Sequence, residues 1–171
     1  MPMPPKGRLL ISALPSPEIL ALWRQNGISH LLNVSGIDAY AIYQPEALAG
    51  FSVSQEMLVD VFTTAPPLPQ SADATLDGTK LYLQLTDEGQ RLAFLSAVRA
   101  LLEKLQTFTP TAVFCHRGQG RSPLVAAAAL QAFYHEPIAD AVSRVQALHP
   151  PAQFTRVSLS ALQWCIQTFG G

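Results

Sequence analysis

Apolar positions fall into short runs in the first third of the chain and into helix-spaced stripes in the rest. Leu9-Leu10-Ile11 is a compact apolar run closed by Pro15 and predicts a first strand. Ser16-Pro17-Glu18 then opens a helix, because Ser caps well and Pro is tolerated at the first helical position. That helix carries Leu20, Leu22 and Trp23 and stops at Asn26-Gly27. Ile28 to Val34 has the continuous apolar character of a buried strand, ended by Ser35-Gly36. Residues 37–79 have the weakest periodicity. Phe51 to Phe62 fits strand or helix, and Thr64 to Thr79, rich in Pro, Ser, Asp and Gly, predicts a long loop that is a lid, a binding loop or simply a mobile segment. Lys80 to Leu85 alternates and predicts a strand, broken by Thr86-Asp87-Glu88-Gly89. Leu92, Leu95, Val98, Leu102 and Leu105 then form one helical stripe. Thr111 to Phe114 is a short strand running straight into Cys115. Helices follow from Ser122-Pro123 through Tyr134, over Ile138–Leu148 and over Phe154–Phe169, the last two parted by Pro150-Pro151. Strands alternating with helices, then helices alone, predict a single α/β domain over 1–171, with a central, mostly parallel sheet flanked by helices.

Composition narrows the class of partner. The chain is 49% hydrophobic, enough for a sizeable core without a disulfide or metal staple. Its formal net charge is -1 and no run of like charges occurs, which speaks against a nucleic-acid binder. Two cysteines, Cys115 and Cys165, make no disulfide framework and are expected as free thiols in a reducing cytoplasm. The proline-rich start, Met1 to Lys6, does not have the pattern of a signal peptide, and Leu124 to Leu130 is too short to span a bilayer. The expectation is a cytoplasmic protein without a membrane span. No cluster of residues has metal-ligand spacing, so neither metal nor cofactor is expected.

The chemistry concentrates in Cys115-His116-Arg117-Gly118-Gln119-Gly120-Arg121-Ser122. A helix beginning near Arg121 turns its unpaired N–H groups and positive dipole end back into this loop. Gly118 and Gly120 let the backbone curl so that several amides face inward, a concavity that takes a tetrahedral oxyanion. Arg121 adds a planar fork able to hold two phosphate oxygens. Cys115 lies at the base, where the same amides stabilise a thiolate placed for in-line attack. Ser122 is positioned either to bond the sulfur or to cap the helix.

Val113 to Pro123 resembles the signature of the protein tyrosine phosphatase superfamily, Cys-x5-Arg-Ser/Thr, and most closely its dual-specificity branch, Cys-x-x-Gly-x-x-Arg-Ser. Leu9 to Gly36 and the C-terminal helices are similar to the family in pattern. The resemblance implies a cysteine-dependent phosphomonoester hydrolase working through a cysteinyl-phosphate. In this reading Cys115 is the nucleophile, Arg121 the oxyanion clamp and Ser122 the aid to thiolate departure. It implies that Asp87, on a loop upstream of Cys115, is the general acid, with Glu88 the local substitute and Asp73 and Asp77 reserves. His116, Arg117, Gly118, Gln119 and Gly120 become substrate-binding positions. The partner is a phosphorylated protein or another phosphomonoester, and basic His116 and Arg117 hint at a polyanionic one. The sequence departs from the family at Phe114, where His usually precedes the nucleophile.

Two other readings stay open on the residues alone. A rhodanese-like sulfurtransferase would use a similar loop, though one usually shorter than the five-residue spacer here. A non-catalytic phosphate-binding module would keep the cradle without turnover. Cys165 sits on an amphipathic last helix with Leu162, Ile166 and Phe169 and is expected in the core, and His135 and His149 are expected as surface or cap residues.

Overall fold

The computed structural model describes residues 8–60 and 78–169. Four strands, β1 (Leu9–Ser12), β2 (His30–Asn33), β3 (Ser52–Gln55) and β4 (Thr111–Phe114), form one sheet in the order β1-β4-β2-β3. All three pairings are parallel, with Thr111 in register with both Leu9 and His30. Parallel sheets are covered on both faces, and every residue of β2 and β4 is buried accordingly. Side chains alternate across the sheet. Leu31, Ala112 and Phe114 enter one apolar cluster with Leu20 and Trp23 of α1 (Pro17–Gln25). Leu32, Val113 and Cys115 enter the other, beneath α5 (Glu88–Gln106), α6 (Arg121–Tyr134) and α8 (Arg156–Phe169).

The helices start where capping chemistry allows. Ser16 accepts from Ile19 N at the head of α1. Asp87 accepts from Gln90 N at the head of α5. Two single-turn helices, α2 (Ala39–Ile42) and α3 (Pro45–Leu48), fill the weakly periodic stretch before β3, which resolves the Phe51 to Phe62 ambiguity in favour of a strand at its start. The expected Thr64 to Thr79 loop lies outside the described residues, apart from its last two positions, as do Asp73 and Asp77.

Two expectations are corrected. Lys80 to Leu85 is no strand: Gly78–Leu85 is helix α4. The alternation of Leu81, Leu83 and Leu85 suggested a pleat, but Leu83 and Leu85 are exposed and Tyr82 is the buried residue. Its ring sits 5.3 Å from Trp164 of α8 and 5.8 Å from Phe94 of α5, and its backbone N–H donates to Ser160 Oγ at 2.9 Å. Burying such a ring contributes about 2 kcal/mol, enough for packing to override a weak local pattern. The stripe of α5 is also rotated from the expected one. Leu92 faces solvent, and Phe94, Leu95, Val98, Leu101 and Leu105 form the buried face. Among the described residues no helix is long and apolar enough to cross a membrane. Joining α6 to α8 is α7 (Ile138–Leu148), and the turn that follows it reaches back toward the centre of the molecule.

Candidate active site

Residues 115–120 connect the C-terminal end of central strand β4 to the N-terminus of α6. Ligands of parallel α/β sheets bind beyond this end of the strands. The loop's shape is fixed through its carbonyls. His116 O accepts from Leu14 N at 3.1 Å and Gln119 O from Gln153 N at 2.8 Å. Gly118 O accepts from His149 Nε2 at 2.6 Å. In a trans peptide the carbonyl and the following N–H point in opposite directions. Tying these three carbonyls outward therefore turns the N–H groups of Arg117, Gln119 and Gly120 the opposite way, away from those tethers. Gly118 has φ +69, and a Cβ there would lie 2.6 Å from Ala13 N, so both conformation and space demand glycine.

Cys115 is buried, and its Sγ lies 3.2 Å from Gly118 N and 3.2 Å from Ser122 Oγ. Gly118 N donates to the sulfur, and the one hydroxyl proton of Ser122 serves either the sulfur or Ser12 O, 3.2 Å away. The N-cap position of α6 is Gly120, so Ser122 is a sulfur partner and not the cap.

Arg121 is held by distant backbone. Its Nη1 donates to Ser35 O at 2.6 Å and to Leu58 O at 2.9 Å. Its Nε is buried and has no hydrogen-bond partner among the described residues. A buried N–H of a cationic group without an acceptor is costly, so this edge of the guanidinium calls for an anion. Two carbonyls thus fix one corner of the fork and leave another to a ligand.

The remaining residues divide. His116 and Arg117 are exposed at the loop, Gln119 is half-buried, and Gly118 and Gly120 are buried in it. Asp87 stands elsewhere than expected. It follows a helix and not a strand, is exposed, and its Oδ1 accepts from Gln90 N at 2.8 Å as the cap of α5. Gln90 links it to the far side of the site, because Gln90 Oε1 accepts from Val59 N at 2.9 Å and Leu58 is an anchor of Arg121. The same stretch carries Asp60, two residues beyond Leu58, an acidic residue that sequence reasoning missed. Its signal was position, just after a strand at the sheet's C-terminal edge. His149 was also underestimated: it is the C-cap of α7 and a direct partner of the loop. Cys165 is buried among apolar side chains, which push its thiol up to about 12.

No protein-family model matches the chain, and no curated protein matches it. Solved structures do. Tk-PTP in its active form superposes with a TM-score of 0.60 at 18% identity, over 95% of this chain and 93% of that one. Human DUSP28 gives 0.63 at 16% identity over 95% and 94%. PTPMT1 in complex with PI(5)P gives 0.65 at 14% identity over 94% and 90%. The chain therefore has the fold of the dual-specificity and protein tyrosine phosphatases.

Proposed function

We propose that the protein is a cysteine-dependent phosphomonoester hydrolase. The observation that carries this reading is the Cys115 sulfur at the base of a loop whose carbonyls are tied outward, beside an arginine with one corner anchored and one N–H unmet. The Cys115 thiolate attacks phosphorus as the P–O bond to the leaving group breaks. The Gln119 and Gly120 amides and Arg121 hold the non-bridging oxygens, where charge gathers. The leaving oxygen takes a proton from an aspartic acid. Water then attacks the cysteinyl-phosphate, the aspartate accepts its proton, and the P–S bond breaks while Ser122 stabilises the departing thiolate.

Among the described residues, Asp60 and Asp87 are the aspartates linked to that side of the site through Leu58, Val59 and Gln90. Asp87 is committed to capping α5, and protonating it would weaken that cap. Asp60 follows closely on the carbonyl that anchors Arg121 and supports the donor role better. The exposed His116 and Arg117 support anionic substrates, such as phosphorylated proteins or phosphorylated headgroups.

The test is hydrolysis of an aryl phosphate with competitive inhibition by vanadate. Cys115→Ser should abolish turnover while oxyanion binding persists. Full activity in that variant, or thiosulfate sulfurtransfer in the parent protein, sinks the proposal.

A further inference from the structure

The turn after α7 touches the loop through one side chain. His149 Nε2 meets Gly118 O at 2.6 Å. A ring nitrogen bonds a carbonyl only as a donor, and both the Nε2–H tautomer and the imidazolium supply that proton. We propose that His149 is a positioning residue for the oxyanion cradle, holding the Gly118–Gln119 peptide in the one orientation that presents an amide to the bound phosphoryl group. The inference rests on the hydrolase reading above.

The motion that this bond resists is a peptide flip. Gly118 has φ +69 and no side chain, so the peptide that follows it meets little steric resistance to rotation. Flipped, it would turn a carbonyl oxygen toward the anion in place of the Gln119 N–H, exchanging attraction for repulsion. The His149 bond opposes the flip directly. The next peptide is held from the same turn, since Gln153 N donates to Gln119 O at 2.8 Å. The turn is itself braced: His149 N donates to Val145 O at 2.8 Å and Ala152 N to His149 O at 3.0 Å. Pro150 and Pro151 stiffen it further. Polar fixation cannot come from the residue before the nucleophile, because Phe114 is fully buried in the apolar cluster on the opposite face of the sheet.

The experiment compares His149→Ala and His149→Gln with the parent protein. Gln carries an amide N–H at nearly the reach of Nε2. His149→Ala is expected to lower kcat/KM for an aryl phosphate by about 10- to 100-fold, toward the effect of losing one oxyanion donor. Tungstate affinity, measured by calorimetry in a Cys115→Ser background, is expected to weaken by roughly tenfold. His149→Gln should recover most of both, and Tm should stay close to the parent's. Unchanged tungstate affinity in His149→Ala overturns the proposal. So does a loss that merely follows Tm and is not recovered by Gln. A parent protein that binds tungstate yet hydrolyses nothing defeats the hydrolase reading, while the tungstate comparison still decides the role of His149. A parent that binds no tungstate overturns the cradle and His149's part in it.

Discussion

Substituting Gly118 by Ala tests the loop geometry with a single methyl group. The added Cβ would lie 2.6 Å from Ala13 N and 2.9 Å from Ser12 C. Ordinary van der Waals contact begins near 3.4 Å, so the loop or its neighbour must yield by close to an ångström. The neighbour is main chain at the end of β1, locked in the sheet, so the loop moves. Two bonds move with it, Gly118 N to Cys115 Sγ at 3.2 Å and Gly118 O to His149 at 2.6 Å. Left-handed φ costs an alanine about 1–2 kcal/mol, and the repulsion adds to that, giving a destabilisation of about 2–4 kcal/mol. Misplacement of this size is expected to cost about 10²-fold in kcat. Urea unfolding and steady-state hydrolysis of an aryl phosphate, run side by side, check both numbers. Gly27→Ala is the control: φ is +89 there too, but nothing lies within 4 Å. It should lose about 1–2 kcal/mol and no activity. Wild-type kcat/KM in Gly118→Ala would refute the packing argument, since it would mean that the loop absorbs the methyl without moving its amides.

Arg121→Lys should lower kcat by about 10²–10³-fold, because one ammonium cannot hold Ser35 O and Leu58 O and still offer a fork to the substrate; equal rates would show that the tethers do not orient catalysis. Asp60→Asn should slow hydrolysis most for substrates with poor leaving groups, whereas Asp87→Asn, whose amide oxygen still caps α5, should leave both leaving-group dependence and stability nearly unchanged; the reverse pattern in leaving-group plots returns the acid to Asp87. His30 is buried with Nδ1 2.5 Å from Ser52 Oγ, and burial, aided by the Lys104 charge, lowers its pKa to about 4. The unfolded chain therefore takes up the proton first as pH falls. His30's contribution is complete above pH 6.5 and is lost toward pH 4, by at most ~3 kcal/mol. Urea midpoints of the parent and His30→Gln across pH 7 to 4 should converge, and parallel curves would remove His30 from the acid sensitivity.

The loop was readable because its code is local. Cysteine, two glycines, arginine and serine at fixed spacing dictate curvature and charge within one turn of chain. The three outer helices, the first strand and the parallel sheet were readable for a similar reason, through runs and caps. What escaped depends on distance. Arg121's anchors lie 86 and 63 residues away in sequence, and His149 is 31 residues beyond Gly118. No periodicity connects them. Lys80 to Leu85 failed because six residues carry strand and helix patterns equally, and only the Trp164 and Phe94 rings select Tyr82 as the inward residue. Asp87 was placed correctly at a boundary, but the boundary was a helix cap.

The strand order has a kinetic consequence. β4 is made last of the four strands yet lies between β1 and β2, which touch each other nowhere in the ladder. During synthesis β1 therefore waits for about a hundred residues before β4, its neighbour among the described residues, emerges, and pairing across that separation is intrinsically slow. Cys115 follows β4 directly, so its thiol reaches its place in the loop only after the sheet has closed. Recovery of vanadate-sensitive hydrolysis during refolding should accordingly trail helix formation and coincide with the last amides of β1 to become protected from exchange.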